Sequence, residues 1–210
     1  MSMKTTKHLF AAALIFISLV RANAQSNFGE FRWGLKAGAN FASVNNLSDG
    51  IEKDKGRAGF VGGAFAKIPL KHFVSIRPEL LFHMKGSTLA VPGDASLSKE
   101  RFAMNYVEMP VSIDFDLPYF LDFHAGVQGS LLLSKKLEIN GTEIEGADDF
   151  FDNTEFGWHV GTGIDLGNIG IHVRFQQSLT SFYELTSFGG EKVKLRNWGF
   201  SLTGSYMFVN

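Results

Sequence analysis

Four histidines, His83, His124, His159 and His172, offer this 210-residue chain most of its scope for chemistry, because imidazole can ligate a metal, act as a base or pass a proton. None belongs to a close motif such as H-x-x-x-H, and His159 and His172 fall out of step in the hairpin that joins them. With no cysteine anywhere, thiolate metal centres and thiol nucleophiles are excluded. The run EIEGADDFFDN carries Glu143, Glu145, Asp148, Asp149 and Asp152, but it lacks the fixed spacing of a calcium loop and reads as a solvated loop tip. GTGIDLG, residues 161–167, has neither the helix nor the lysine that follows a phosphate-binding loop. The histidines are therefore expected to be hydrogen-bonded fillers, with no catalytic residue, no metal and no cofactor.

The elements that position these side chains have a period of two. In residues 31–42 the apolar Phe31, Trp33, Leu35, Ala37, Ala39 and Phe41 alternate with Arg32, Gly34, Lys36, Gly38 and Asn40, which is strand spacing. Seven further strands are predicted over 59–68, 73–85, 101–116, 120–135, 155–166, 169–179 and 195–210; the first of these is small and apolar on both faces. Each is about nine or more residues long, enough for a tilted strand to cross a bilayer. The four histidines lie on the polar side of their strands, as do Arg77, Glu79, Glu108, Asp122 and Arg174.

Residues 1–24 stand apart from this pattern. Lys4 and Lys7, the apolar run LFAAALIFISLV and Ala22-Asn23-Ala24 have the form of a cleaved secretory signal peptide, and the run is too short for a membrane helix. The mature domain is then residues 25–210. Removing Lys4, Lys7 and Arg21 leaves 17 basic against 21 acidic residues, a formal charge of −4, which does not suit a nucleic-acid partner.

The connections alternate in length. PLKH (69–72), LPY (117–119) and GN (167–168) are short, whereas 43–57, 86–100, 136–154 and 180–194 are long and polar. Antiparallel neighbours would place all long connections at one end, the asymmetry of transmembrane barrels. A two-residue turn at Gly167-Asn168 sets Leu166 opposite Ile169, and hence Gly163 opposite His172, Gly161 opposite Arg174 and His159 opposite Gln176. All six of the latter lie on the polar face.

Glycine decides which face is inside. Gly34, Gly38, Gly126, Gly157, Gly161, Gly163 and Gly199 share the polar face, and glycine within an exposed strand costs about 0.5–1 kcal/mol. In a narrow eight-stranded lumen the same residues make room for large neighbours. The apolar face then meets lipid, with aromatic residues gathered towards both strand ends as in interfacial girdles. A lipid hydrolase would need its Ser-His-acid set on that outer face, but the histidines point inward by parity. The expected fold is all-β, an eight-stranded antiparallel up-and-down transmembrane β-barrel. The alternative is a soluble lipocalin-like barrel holding a small apolar ligand at its centre.

The segments WGLKAGANFA, GFVGGAF, SIRPELLFHMKG, YVEMPVSIDF, GWHVGTGIDLG, IHVRFQQSL and WGFSLTGSYMF together resemble the PorT-like outer-membrane β-barrel family of Gram-negative bacteria. The resemblance runs from about Phe31 to Phe208 and implies an outer-membrane barrel without an assigned activity, one branch being linked to protein export. It implies outer-membrane lipid and, during biogenesis, the barrel-insertion machinery as partners, with an envelope or secretion protein as a further partner through the loops. One departure is that Phe208 is followed by Val209 and Asn210, whereas assembly signals usually end on an aromatic residue. At the matched positions Arg77, Glu79, Glu108 and Arg174, a structural ion-pair network in the lumen is expected, since arginine can grip carboxylates bidentately.

Overall fold

The computed structural model describes residues 31–46, 52–90, 99–117, 120–139, 142–143, 153–181, 183–186 and 192–208. The expected signal peptide lies outside the described residues, as do the two C-terminal residues and Glu145, Asp148, Asp149 and Asp152 of the acidic run. Among the described residues there is no helix. The strands are β1 (Arg32–Asn46), β2 (Glu52–Lys71), β3 (Val74–Ala90), β4 (Lys99–Asp116), β5 (Leu121–Ile139), β6 (Thr142–Glu143), β7 (Thr154–Leu166), β8 (Ile169–Ser178), β9 (Tyr183–Thr186) and β10 (Lys192–Phe208).

Eight of these strands form the wall, in the order β1-β2-β3-β4-β5-β7-β8-β10. β10 then pairs with β1 from Trp33↔Phe208 to Asn46↔Leu195, which closes the cylinder and removes its free edges. The short β6 pairs with β5, and β9 with β10. The turn at Gly167, whose φ is 64°, has the inferred register, with Leu166↔Ile169, Gly163↔His172, Gly161↔Arg174 and His159↔Gln176.

The strands differ from the sequence reading in several details, and β5, β6, β9 and β10 all reach into connections read as loop. The first connection narrows to the segment between Asn46 and Glu52, and the third to that between Ala90 and Lys99; Leu89↔Glu100 and Ala90↔Lys99 are still paired. Continued pairing satisfies backbone donors and acceptors whatever the polarity of the side chains, so composition understates strand length. The turn after β2 is the two residues His72 and Phe73, because Pro69 to Lys71 continue the strand through an irregularity in pairing. Finally, Asn105↔Ser134 and Tyr106↔Leu132 leave Leu133 as an extra residue on β5, and this bulge turns Ser134 outward, where Asn105 donates to it at 2.9 Å. Unbroken alternation from Leu121 would put Ser134 on the inner face.

The two faces separate by chemistry. Val127 is 66% exposed and Leu202 50%, amid an outer wall that includes Leu35, Leu80, Val111, Ile113, Ile171 and Val173, while Lys36, Asn40, Arg77 and Arg174 are buried inside. Aromatic rings cluster at both ends of that wall. Trp33 stacks on Phe208 with centroids 4.4 Å apart and Phe208 meets Tyr206 at 5.1 Å; towards the long connections, Phe175 contacts Trp158 at 5.5 Å and Phe200 at 5.0 Å.

Candidate functional site

The lumen is built from the inward residues of all eight strands, and it is filled. Among the described residues, five buried cations, Lys36, Lys67, Arg77, Lys85 and Arg174, face five buried carboxylates, Glu79, Glu108, Asp114, Asp122 and Glu155. Charges in a dry interior must be paired, and the balance shows how this interior meets that demand.

The central pairing joins opposite walls. Arg174 Nη1 and Nη2 donate to Glu79 Oε2 and Oε1 at 3.0 and 2.7 Å, the two-point geometry that guanidinium and carboxylate share. β8 and β3 are four strands apart in either direction around the wall, so this pair spans the full width of the barrel. Lys36 on β1 donates to the same carboxylate at 3.0 and 3.2 Å. Beside it, Ser112 Oγ and His159 Nε2 lie 2.8 Å apart.

Towards the long connections, Lys85 Nζ stands 2.5 Å from Glu108 Oε1 and 3.6 Å from Glu155 Oε2. His83 Nδ1 donates to Glu108 Oε2 at 2.7 Å and Ser130 Oγ donates to Oε1 at 3.1 Å. Glu155 also accepts from Tyr106 Oη at 2.5 Å, Asn197 Nδ2 at 2.6 Å and Ser178 Oγ at 2.8 Å. Every carboxylate oxygen in this cluster has a donor.

At the short-turn end, Arg77 Nε lies 2.5 Å from Asp114 Oδ2, and Lys67 Nζ lies 2.5 Å from Asp116 and 3.7 Å from Asp165. Asp122 is flanked by His124 and His172, each with Nδ1 2.9 Å from one of its oxygens. Arg174 Nε reaches the far nitrogen of His124 at 3.4 Å.

The single network expected of Arg77, Glu79, Glu108 and Arg174 is thus divided. Arg174 holds Glu79, whereas Arg77 pairs with Asp114, and Glu108 belongs to Lys85 and His83. Register explains the separation, for Glu108 is opposite Leu81, two residues beyond Glu79 along β3. Sequence reasoning did not assign Lys36, Lys85, Asp114 and Glu155 to the network. Their inward parity was the available signal, although it named no partners. The histidines are hydrogen-bonded as expected, but closure brings His124 and His172 onto one carboxylate despite their separation in sequence. The apolar central cavity that a lipocalin-like barrel requires is absent among the described residues, since ion pairs occupy the centre.

Arg77→Leu should lower the unfolding free energy by about 1–3 kcal/mol by leaving Asp114 without its guanidinium. The cost is moderated because Lys67 also acts on the Asp114 carboxylate. Loss of heat-modifiable migration at a lower temperature than wild type is the expected gel result, and identical migration profiles would show that the pair is dispensable.

Comparison with known proteins agrees with this architecture. Residues 23–184 match the model of the outer membrane protein beta-barrel domain family. The fold is similar to that of Ail, the attachment invasion locus protein of Yersinia pestis, with a TM-score of 0.50 and 14% identity over 86% of this chain and 100% of that one. It is also similar to the outer membrane protein OprG of Pseudomonas aeruginosa, with a TM-score of 0.52 and 9% identity over 87% and 98% of the two chains. No curated protein sequence matches the chain.

Proposed function

Because this chain belongs to the outer membrane protein beta-barrel domain family, we propose that it works without catalysis, as a sealed barrel of the Gram-negative outer membrane whose long-connection end makes structural, surface-recognition or secretion-associated contacts. The observation that carries this reading is the uneven height of the wall. A tilted strand crosses the bilayer in about 9–11 residues. β8 has 10 residues and ends just past the aromatic cluster around Phe175, whereas β3, β4 and β5 have 17, 18 and 19 residues and remain paired to Ala90↔Lys99 and Glu100↔Ile139. One side of the barrel therefore rises beyond the lipid as a sheet, a platform for a protein partner in the envelope or secretion apparatus.

The same proposal takes residues 1–24 as the export leader, the PorT-like group as the narrower kinship, and the insertion machinery as the partner during assembly. The paired lumen charges serve as struts and leave no continuous aqueous path. Inserted into planar bilayers, the folded barrel should show no steady ion conductance; a stable ohmic step would overturn the sealed lumen. Replacing residues 140–152 with a tight turn should leave a heat-modifiable barrel but remove the partners captured by cross-linking on intact cells. An unchanged set of cross-linked partners would refute the role given to the long-connection end.

A further inference from the structure

We propose that Asp122, His124 and His172 form a binding site for a divalent transition-metal ion at the short-turn end of the lumen. One ligand atom from each lies within 4.8 Å of the other two. Two imidazoles and a carboxylate, with a position left for water, form a ligand set suited to zinc and its neighbours. The inference rests on lumen geometry and is independent of the surface role proposed above.

The hydrogen bonds around His172 make the case. Its Nε2 lies 3.2 Å from Asp165 Oδ1 and 3.1 Å from Ser205 Oγ. Nε2 is hydrogen-bonded to Ser205 Oγ, and the negative charge of Asp165 beside it favours a proton on that nitrogen. The other nitrogen, Nδ1, then directs its lone pair towards Asp122 Oδ2, 2.9 Å away, and both of these buried atoms lack a hydrogen-bond partner. Two electron-rich atoms so close in a buried position call for a cation. A carboxylate on the far nitrogen is also the outer support that metal-bound histidines characteristically have.

The backbone has been cleared for this cluster. A Cβ on Gly163 would collide with His172 Nδ1 and come within 2.6 Å of Asp122 Oδ2, and one on Gly170 would come within 2.6 Å of both His172 Nε2 and Ser205 Oγ. His124 completes the set through Nδ1, already 2.9 Å from Asp122 Oδ1. Coordination there replaces the Nδ1–H donation to Asp122 and moves the proton to Nε2, so the long 3.4 Å contact from Arg174 Nε is given up as well, while the other two guanidinium nitrogens stay on Glu79. Side-chain exposure falls from Asp116 at 42% through Asp165 at 17% to His172 at 3%, so the cluster lies just inside the short-turn end, with Lys67 between the two carboxylates.

The test uses the tag-free full chain folded in detergent, titrated with Zn2+ by calorimetry and with Co2+ by visible absorption. One ion per chain is expected, with ligand-field bands from Co2+. His124→Gln and His172→Gln should each weaken binding at least ~10-fold, and Asp165→Asn about 10–100-fold, while His72→Gln, on an exposed turn, should bind as wild type does. If a variant does not fold, the wild-type Co2+ spectrum decides alone. A folded wild type without saturable Co2+ bands, its His172 showing the 15N shifts of an imidazolium, would mean that a proton supplies the cation and would overturn the proposal. Binding that survives in folded His124→Gln and His172→Gln would do the same.

Discussion

Arg174→Leu is expected to lower the unfolding free energy of the barrel by about 3–5 kcal/mol, the usual consequence of removing one partner from a buried ion pair. Glu79 would keep Lys36 as its hydrogen-bonded cation, and the lumen would lose one of the five buried cations of the described residues. The connection between β3 and β8, on opposite sides of the cylinder, would also be broken. Arg174→Lys keeps the charge but loses the two-point grip, so it should fall between the two. The double variant Glu79→Gln/Arg174→Leu should recover part of the loss, because no unpaired ion remains. Urea unfolding of the barrel in phospholipid vesicles measures all three. An unchanged midpoint in Arg174→Leu would show that the central pair contributes nothing to holding the walls together.

The second large effect is expected on the outer surface. Leu202→Arg should cost about 2–4 kcal/mol in a bilayer, the penalty for a cation on the lipid face near the midplane. Leu202 lies in the apolar band between the aromatic residues Phe200 and Tyr206 of β10 and pairs with Val173 on β8 and Ala39 on β1. Leu202→Met, which keeps an apolar surface, should be close to neutral. Spin labels at Val173 and Leu202 should also be relaxed efficiently by lipid-soluble quenchers. If the arginine variant is as stable as wild type and the labels are shielded, the apolar face does not meet hydrocarbon.

Much of this architecture can be read along the chain because it depends on local regularities. Strict alternation in β1, β7 and β8 assigns each side chain to a face, and the Gly167-Asn168 turn sets the register of β7 against β8 residue by residue. Glycines on the polar side identify that side as the crowded interior. Local alternation could not reveal the extra residue at Leu133, since a bulge shifts parity through the partner strand rather than through its own sequence.

By itself the sequence determined eight crossings, the lipid-facing and lumen-facing sides, and the end that carries the long connections. Tertiary structure alone decided which lumen charges meet. Arg174 finds Glu79 across 95 residues, and His172 and His124 come to share Asp122, because closure and strand stagger set their heights inside the cylinder. Parity tells a side chain to point inward, but its partner is chosen by distance across the lumen, and a period of two contains no record of that distance.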